Sequence, residues 1–152
     1  MITFQTEYPG LTASSLPIRT GLITQWVEAV AAAHGRCVSN IAYIFVDDQR
    51  ILDVNRQFLG HDYYTDIITF DYTEGKHISG DLFISLDTVR SNAEQLRQPY
   101  ERELHRVIIH GILHLCGIND KGPGERAIME TEENKALDIL NEETKKYLYK
   151  NG

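Results

Sequence analysis

The stretch HGILHLCGIND, residues His110 to Asp120, lies in a run of apolar residues that is typical of a buried helix, and it decides how the chain is organised. His110 and His114 are four residues apart, so a helix places both imidazoles on one face, one turn apart. Gly117 is the residue type that most readily adopts the left-handed conformation ending a helix. Asp120 follows where the reversing chain brings its carboxylate back toward the imidazoles. Two imidazoles, one carboxylate and an open position are typical of a catalytic zinc site rather than a structural one.

The spacing of these residues is the ligand frame of the metzincin zinc helix, H-E-x-x-H-x-x-G-x-x-H, with two substitutions. Gly111 stands where a peptidase has the Glu that deprotonates the attacking water, which argues against a peptidase. Asp120 stands where the frame has its last His, and a carboxylate is still a zinc ligand. The alternative is a pair of core histidines followed by a helix-ending turn. We predict one zinc ion per chain, bound by His110, His114 and Asp120.

Length, composition and charge indicate the number of domains and exclude some classes of protein. With 152 residues the chain has the length of one domain, so we expect residues 1–152 to form a single domain. No apolar stretch approaches the roughly 20 residues that cross a bilayer, and the N-terminus lacks the pattern of a signal peptide, which predicts a cytoplasmic protein. A net charge of −7 argues against nonspecific coating of nucleic acid, although it allows a local basic cleft. Cys116 lies on the apolar helix, which favours a reduced, buried thiol over a disulfide.

Period-two alternation and β-branched or aromatic residues predict the strands. They cover Met1–Tyr8, the segment around Ile41, Tyr43 and Phe45, Thr65–Tyr72, and Asp81–Leu86. A short polar loop joins the third strand to the fourth, which predicts an antiparallel hairpin.

Capping residues and helical spacing predict the helices. They begin at Pro17, at Asp47-Asp48, at Pro99 and after Pro123, and a further helix runs through Leu96 with Asp87 or Thr88 as its cap. Gly35 is expected to end the first helix and Gly60 the second. The last helix is expected to bury a stripe formed by Ile128, Met129, Ala136, Leu137, Leu140 and Leu148. The predicted fold is α+β: a small mixed four-stranded sheet packed with helices, with the zinc-binding helix at its centre.

Three stretches resemble motifs of the YbeY family of rRNA maturation factors. HGILHLCGIND resembles the family signature H-G-x-L-H-L-x-G-Y-D-H, and LDVNRQFLGHDYYTDIITF, from Leu52, resembles L-N-x-x-Y-R-x-K-D-x-P-T-D-V-L-S-F. GDLFIS, from Gly80, resembles G-D-I-x-I-S. Order, spacing and total length also fit, so the resemblance covers nearly the whole chain. It assigns the family's zinc ligands to His110, His114 and Asp120, the last of which is His in most members.

This resemblance implies a cytoplasmic, single-strand-specific endoribonuclease that depends on zinc. It implies a role in maturing the 3′ end of small-subunit ribosomal RNA and in ribosome quality control. The implied partners are single-stranded RNA, ribosomal RNA and the ribosome, with no DNA and no membrane. The residues themselves support a zinc site without a peptidase base, which is compatible with hydrolysis of a phosphodiester.

Besides Asp120, two departures from the family pattern limit what the resemblance implies. Leu59 stands where the family has an Arg thought to matter for RNA handling, and His61 stands where it has Lys. Leu cannot replace an Arg that binds phosphate through two hydrogen bonds. Arg106 is the candidate replacement, because it lies four residues before His110 and shares its helical stripe. The alternative is that Arg106 pairs with Glu103 or another acid at the helix surface.

No residue stands out as the general base of a hydrolytic reaction. Asp62, Asp66, His61 and Glu103 are the available groups. Asp62 and Asp66 are expected to cap turns or bond to the backbone near the third strand, which is the usual role of Asp there.

The tyrosines Tyr63, Tyr64 and Tyr72 flank the third strand and have two interpretations. They could stack on unpaired bases, each stack contributing roughly 1–3 kcal/mol. Aromatic residues at such positions more often fill a face of the sheet, and that is the interpretation we favour.

Two other functions compete with an endoribonuclease. One is a metallopeptidase whose base comes from elsewhere in the chain, and the other is a ribosome-assembly factor with a structural metal. A structural zinc site needs a fourth protein ligand, and Cys116 is the only nearby thiol. Cys116 follows His114 by two residues, about 200° around the helix, so we expect it to face away from the metal.

Overall fold

The structure, a computed structural model, describes residues 1–61 and 63–151. Within these residues the strands form a four-stranded sheet in the order β1-β2-β4-β3. Their bounds are β1 Ile2–Thr6, β2 Cys37–Val46, β3 Ile67–Asp71 and β4 His77–Ser85. β1 and β4 run parallel to β2, whereas β3 runs antiparallel to β4. The predicted mixed sheet and the predicted hairpin are confirmed.

The α-helices of the described residues are α1 Thr20–Ala33, α2 Asp48–Leu59, α3 Leu86–Leu96, α4 Tyr100–Leu115 and α5 Glu125–Asn151. The ends of α2 follow the prediction. The Asp47 carboxylate accepts a hydrogen bond from the Arg50 N–H at 2.9 Å, and Gly60 takes a left-handed conformation with φ of 66°. No helix in the described part of the chain is both long and apolar enough to cross a membrane.

Successive side chains of β2 point to opposite faces of the sheet, as strand geometry requires. Ile41, Tyr43 and Phe45 lie in the main core, together with residues of α1, α3, α4 and α5. Ile44 and Val46 lie in a second cluster on the other face, which α2 covers. The sheet is therefore covered on both faces, and α4 is one of the helices on the main core side.

A close approach between α4 and the sheet sets where the predicted zinc helix lies. A Cβ added at Gly111 would lie 2.9 Å from Cδ1 of Ile67 and 3.0 Å from Cδ2 of Leu82. The Tyr43 hydroxyl donates a hydrogen bond to the Ile108 carbonyl at 3.0 Å. Because Tyr43 is fully buried, this bond holds α4 against β2 inside the core.

The predicted cap of α3 is wrong. The helix begins at Leu86, and its N-cap is Ser85, whose hydroxyl accepts a hydrogen bond from the Thr88 N–H at 3.2 Å. Asp87 is bonded elsewhere, because its carboxylate accepts from the Asp48 N–H at 3.0 Å. A capping residue must precede the first helical residue, so neither Asp87 nor Thr88 can serve.

The predicted start of α1 is also wrong. The helix begins at Thr20 rather than at Pro17. Arg19 has extended backbone angles, with φ of −92° and ψ of 99°, so the helical hydrogen bonds cannot extend back to Pro17. The end of α1 is close to the prediction, since Gly35 has φ of 71° directly after the C-cap residue His34.

The predicted buried stripe of α5 is correct in its centre and wrong at its ends. The buried members are Met129, Ala136, Leu137 and Leu140. Ile128 is 58% exposed and Leu148 is 48% exposed. Ile128 precedes Met129 by one residue, about 100° around the helix, which turns it out of the stripe.

The two cysteines are free thiols, as predicted. Cys116 is buried in the main core, whereas Cys37 is exposed. Burial raises the pKa of the Cys116 thiol, with the charge of Arg36 acting in the opposite direction.

Candidate metal centre

A cleft of about 720 Å³ lies beside α4, with α3, the start of β3 and the first half of α5 forming its other walls. Its ionisable residues include Asp66, Glu103, Arg106, His110, Asp120 and Glu133. The cleft therefore contains two of the three predicted zinc ligands, the predicted phosphate-binding arginine and two of the proposed bases.

His110 and Asp120 meet in this cleft. The His110 Nε2 atom lies 3.2 Å from the Asp120 Oδ2 atom. Two ligands of a tetrahedral zinc ion with bonds of about 2.0–2.1 Å are separated by about 3.3 Å. The turn after α4 produces this approach: Gly117 has φ of 97°, and its N–H donates to the His114 carbonyl at 2.9 Å. The donor types and their separation fit zinc.

His114 lies on the same face of α4, one turn after His110. Its side chain is half-buried, and it forms no hydrogen bond or ion pair with other described residues. It is not among the residues that line the cleft. Within residues 1–61 and 63–151, no three His, Cys, Asp or Glu side chains are grouped closely enough to hold a metal ion. The complete ligand set therefore stays a prediction, with His110 and Asp120 brought together and His114 nearby on the helix.

Glu133 is the residue of this site that the sequence analysis missed. It belongs to α5, is only 5% exposed, and its Oε2 atom lies 2.7 Å from the His110 Nδ1 atom. Glu133 follows Met129 by four residues and precedes Ala136 by three, so it lies on the buried stripe of α5. An acid on an apolar stripe was the available signal, since Glu is rarely buried without a partner.

Arg106 pairs with acids, which was the alternative interpretation of this residue. Its Nη1 atom donates to Oε1 of Glu133 at 2.9 Å, and its Nε atom lies 3.8 Å from Oε1 of Glu103. Contact of Arg106 with phosphate stays an untested prediction. Leu59 and His61, which stand where the family has Arg and Lys, do not line the cleft.

Burial and neighbouring charges shift the pKa values of the cleft residues. Burial raises the pKa of Asp66, and the charge of His110 opposes this shift. Burial also raises the pKa of Glu103, and Arg106 opposes it. Burial by itself lowers the pKa of His110, but its hydrogen bond with Glu133 and the charge of Glu133 outweigh burial, so the pKa is raised. Two carboxyl groups of the cleft therefore keep their protons to higher pH than ordinary acids.

The four candidate bases differ in their positions. Asp66 and Glu103 line the cleft, and His61 does not. Asp62 lies outside the described residues. Asp66 also has the backbone bonding that we expected of its side chain, because hydrogen bonds from the backbone N–H groups of Ile67 and of Asp66 itself oppose the rise in its pKa.

The tyrosines near β3 do not fill a face of the sheet, so the favoured interpretation is wrong. Tyr63 is 52% exposed, Tyr64 is 56% exposed and Tyr72 is 57% exposed. They lie before and after β3 rather than within it, so the pleat of the strand does not turn them toward the core. None of the three lines the cleft.

The helix that carries His110 does not itself supply what either competing function needs, and a peptidase base from another element stays untested. A Cβ at Gly111 would meet the side-chain ends of Ile67 and Leu82, so a glutamate at this position would first have to displace them. Cys116 packs in the main core and is not among the residues lining the cleft. The helix therefore offers neither the base of a peptidase nor a thiol beside His110.

Comparisons with known proteins agree with the motifs. The model of the endoribonuclease YbeY family matches residues 14–141. A relative from Phocaeicola vulgatus, named endoribonuclease YbeY, is 67% identical over 142 residues, which are 93% of this chain and 99% of the relative. A relative of the same name from Bacteroides fragilis is 64% identical over 136 residues, which are 90% of this chain and 95% of the relative.

Among solved structures, the solution structure of a Thermotoga maritima protein is similar to this one. The TM-score is 0.66 at 27% sequence identity, and the match covers 97% of this chain and 93% of that protein. The α+β fold with a mixed sheet is thus shared with a solved structure. Since the family model spans most of the sequence and relatives this similar carry the same name, the chain belongs to the endoribonuclease YbeY family.

Proposed function

We propose that this protein is a zinc-dependent endoribonuclease that cleaves single-stranded RNA at the cleft beside α4. The observation that supports it most directly is the approach of His110 Nε2 to Asp120 Oδ2, at 3.2 Å, inside a cleft of about 720 Å³. We propose His114 as the third ligand, from its place one turn along the same helix. Family membership supports RNA as the substrate.

The finer parts of the proposal rest on the resemblance to the family. They are maturation of the 3′ end of small-subunit ribosomal RNA, ribosome quality control, and action in the cytoplasm on ribosomal RNA and the ribosome. Residues 1–152 would act as a single domain.

Zinc held by these residues would supply Lewis acidity, which would polarise a phosphoryl oxygen and lower the pKa of a water molecule to about 7. The side chains have the complementary tasks of holding RNA and moving protons. Arg102 and Arg126 line the same cleft and would contact phosphate groups. Among the described residues, Arg126 pairs only with Glu130, at 3.6 Å, and both side chains are exposed. Such pairs contribute little, so the Arg126 guanidinium is available to RNA.

Asp66 is the proposed proton acceptor for the attacking water. It lines the cleft, and burial raises its pKa, which brings the carboxylate closer to the strength that a general base needs near neutral pH. Glu103 is less suitable because it is 5% exposed and lies beside Arg106.

The test is cleavage of single-stranded RNA by the zinc-loaded protein. We expect the parent to cleave, and His110→Ala, His114→Ala and Asp120→Ala to lose cleavage together with zinc. Asp66→Asn should lose cleavage and keep zinc, because this carboxylate is proposed to move a proton rather than to bind metal.

The chain offers matched controls for these variants. His77 and Asp138 are exposed and do not line the cleft, so His77→Ala and Asp138→Asn should cleave RNA at the parent rate. An unstructured peptide serves as the alternative substrate. Peptide hydrolysis that disappears in His114→Ala, with RNA left intact, would replace the nuclease by a peptidase. Full RNA cleavage by His114→Ala that has lost its zinc would favour a structural metal.

A further inference from the structure

We propose that Glu133 is a positioning residue that fixes the ring orientation and the neutral tautomer of His110, with Arg106 holding Glu133 in place. This inference rests on the proposed function, because it concerns how His110 is presented to zinc. It assigns a role to two residues beyond the ligand set, one of which lies on a different helix from His110.

The two oxygens of Glu133 serve two different partners. Oε2 lies 2.7 Å from His110 Nδ1, and Oε1 accepts from Arg106 Nη1 at 2.9 Å. Glu133 is 5% exposed, so water cannot replace these bonds at little cost. The carboxylate is therefore fixed at both ends rather than free to rotate.

The chemistry of these atoms determines which nitrogen of His110 carries the proton. An ionised carboxylate can only accept hydrogen bonds, and each ring nitrogen faces one: Nδ1 lies 2.7 Å from Glu133 and Nε2 lies 3.2 Å from Asp120. The neutral ring has one proton, and the shorter contact places it on Nδ1, which then donates to Glu133. In the neutral imidazole this leaves the lone pair on Nε2, the nitrogen that lies 3.2 Å from Asp120 Oδ2. In other proteins, a carboxylate that accepts a hydrogen bond from the ring nitrogen not bound to the metal orients metal-binding histidines in the same way.

Because Arg106 binds one oxygen of residue 133, the His110 proton stays on Nδ1 only when residue 133 is an acid. A guanidinium has only donors, so it binds an oxygen of whichever side chain occupies position 133. In E133Q the amide oxygen would turn to Arg106, and the amide N–H groups would face His110 Nδ1. Nδ1 would then have to accept, which moves the proton of the neutral ring to Nε2 and blocks that atom as a ligand.

The experiment measures the tautomer and zinc binding separately from RNA cleavage. Nitrogen-15 NMR of the histidine rings in metal-free protein, at a pH where they are neutral, reports which nitrogen of His110 is protonated; His110→Gln identifies the signal. Competition with a chromophoric chelator gives the zinc affinity. We expect Nδ1–H in the parent, Nε2–H in E133Q, and zinc affinity roughly 10- to 100-fold lower in E133Q.

Two further variants separate positioning from charge and from folding. Glu130 lies on the same helix, lines the same cleft and is exposed, so E130Q removes an equal charge and should keep both the tautomer and the affinity. R106M removes the guanidinium that holds Glu133 in place and leaves the Glu133 carboxylate. The His110 ring should therefore keep its proton on Nδ1, while zinc affinity falls.

An E133Q protein that keeps Nδ1–H and parent zinc affinity would overturn the inference, as would a parent with the proton on Nε2 or without zinc binding. RNA cleavage is scored independently. A parent that binds zinc through an oriented His110 but cleaves no RNA would sustain the role of Glu133 and refute the nuclease proposal. Normal cleavage and zinc affinity in E133Q would do the reverse.

Discussion

Asp120 is the residue at which the proposed ligand set departs from the family, where His is usual. Its Oδ2 atom lies 3.2 Å from His110 Nε2, so the substitution retains a donor in the cleft. A carboxylate differs from imidazole by carrying a negative charge, which partly neutralises a bound cation. Asp in place of His at position 120 should therefore change the acidity of water at the metal more than it changes whether the metal binds.

The first prediction concerns Asp120→His. Removing the negative charge should make water at the metal more acidic, so the pH–rate profile of RNA cleavage should rise at lower pH than in the parent. The measurement is the pH at which cleavage by zinc-loaded protein reaches half of its maximum. A profile that rises at higher pH than the parent's would contradict this account of Asp120.

Among residues, the difficulty of prediction depends on separation along the chain. His110 and Asp120 lie ten residues apart, and a helix followed by a left-handed glycine was enough to predict their approach. Glu133 and His110 lie 23 residues apart on different helices. Only the packing of α5 against α4 brings these two together, and no local pattern reports that packing.

At the scale of elements, caps and turns could be predicted where the residues that form them are neighbours in the sequence. Asp47 and Gly60 bound α2 as expected, because a capping carboxylate and a left-handed glycine act within one turn. The start of α3 was not predictable in this way. Ser85 is the last residue of β4 as well as the N-cap of α3, so the strand passes directly into the helix.

The cap of α3 gives a prediction for stability. Ser85 is fully buried, accepts from the Thr88 N–H at 3.2 Å and donates to Asp48 Oδ1 at 2.7 Å. Ser85→Ala should lower the free energy of unfolding by about 0.5–2 kcal/mol, the usual cost of losing a cap. Asp48 keeps the Thr88 hydroxyl as a donor, so a larger loss is not expected.

Urea unfolding is the measurement for Ser85→Ala, and Ser91→Ala is the matched control. Ser91 lies on the exposed side of the same helix and has no capping role. Its replacement should leave the unfolding midpoint nearly unchanged, since alanine is a good helix former. Equal shifts in the two variants would show that the Ser85 cap is not what stabilises α3.

For the whole molecule, two histidines couple stability to pH with opposite signs. Burial lowers the pKa of His105, which packs edge-on against Trp26 with ring centroids 5.9 Å apart. Below the unfolded pKa of about 6.5, the unfolded chain therefore binds this proton more readily than the folded chain. This contribution to the free energy of unfolding is complete above about pH 6.5 and is lost as pH falls through the folded pKa of His105.

In the metal-free protein, the contribution of His110 to the free energy of unfolding has the opposite pH dependence, because the folded pKa of His110 is raised. Its contribution is complete below about pH 6.5 and is lost as pH rises through the folded pKa. On the acid side of the stability curve His105 lowers stability as pH falls, and the raised pKa values of Asp66 and Glu103 oppose this effect. The His110 contribution is lost on the neutral side.

The pH prediction is tested with His105→Gln. The free energies of unfolding of the metal-free parent and of the variant are measured in urea at a series of pH values. Below about pH 6.5 the parent should lose stability relative to the variant, because only the parent has the His105 contribution. Parallel curves for parent and variant below about pH 6.5 would exclude His105 as the source of the slope.

The central claim is that His110, His114 and Asp120 share one divalent ion with a position left open for the reaction. The most direct measurement is the zinc content of the purified chain and of Asp120→Ala, determined by elemental analysis after removal of loosely bound metal. The account predicts about one zinc ion per chain in the parent and clearly lower occupancy in the variant, in parallel with loss of RNA cleavage. Equal zinc content in the two proteins, or none in the parent, would contradict it.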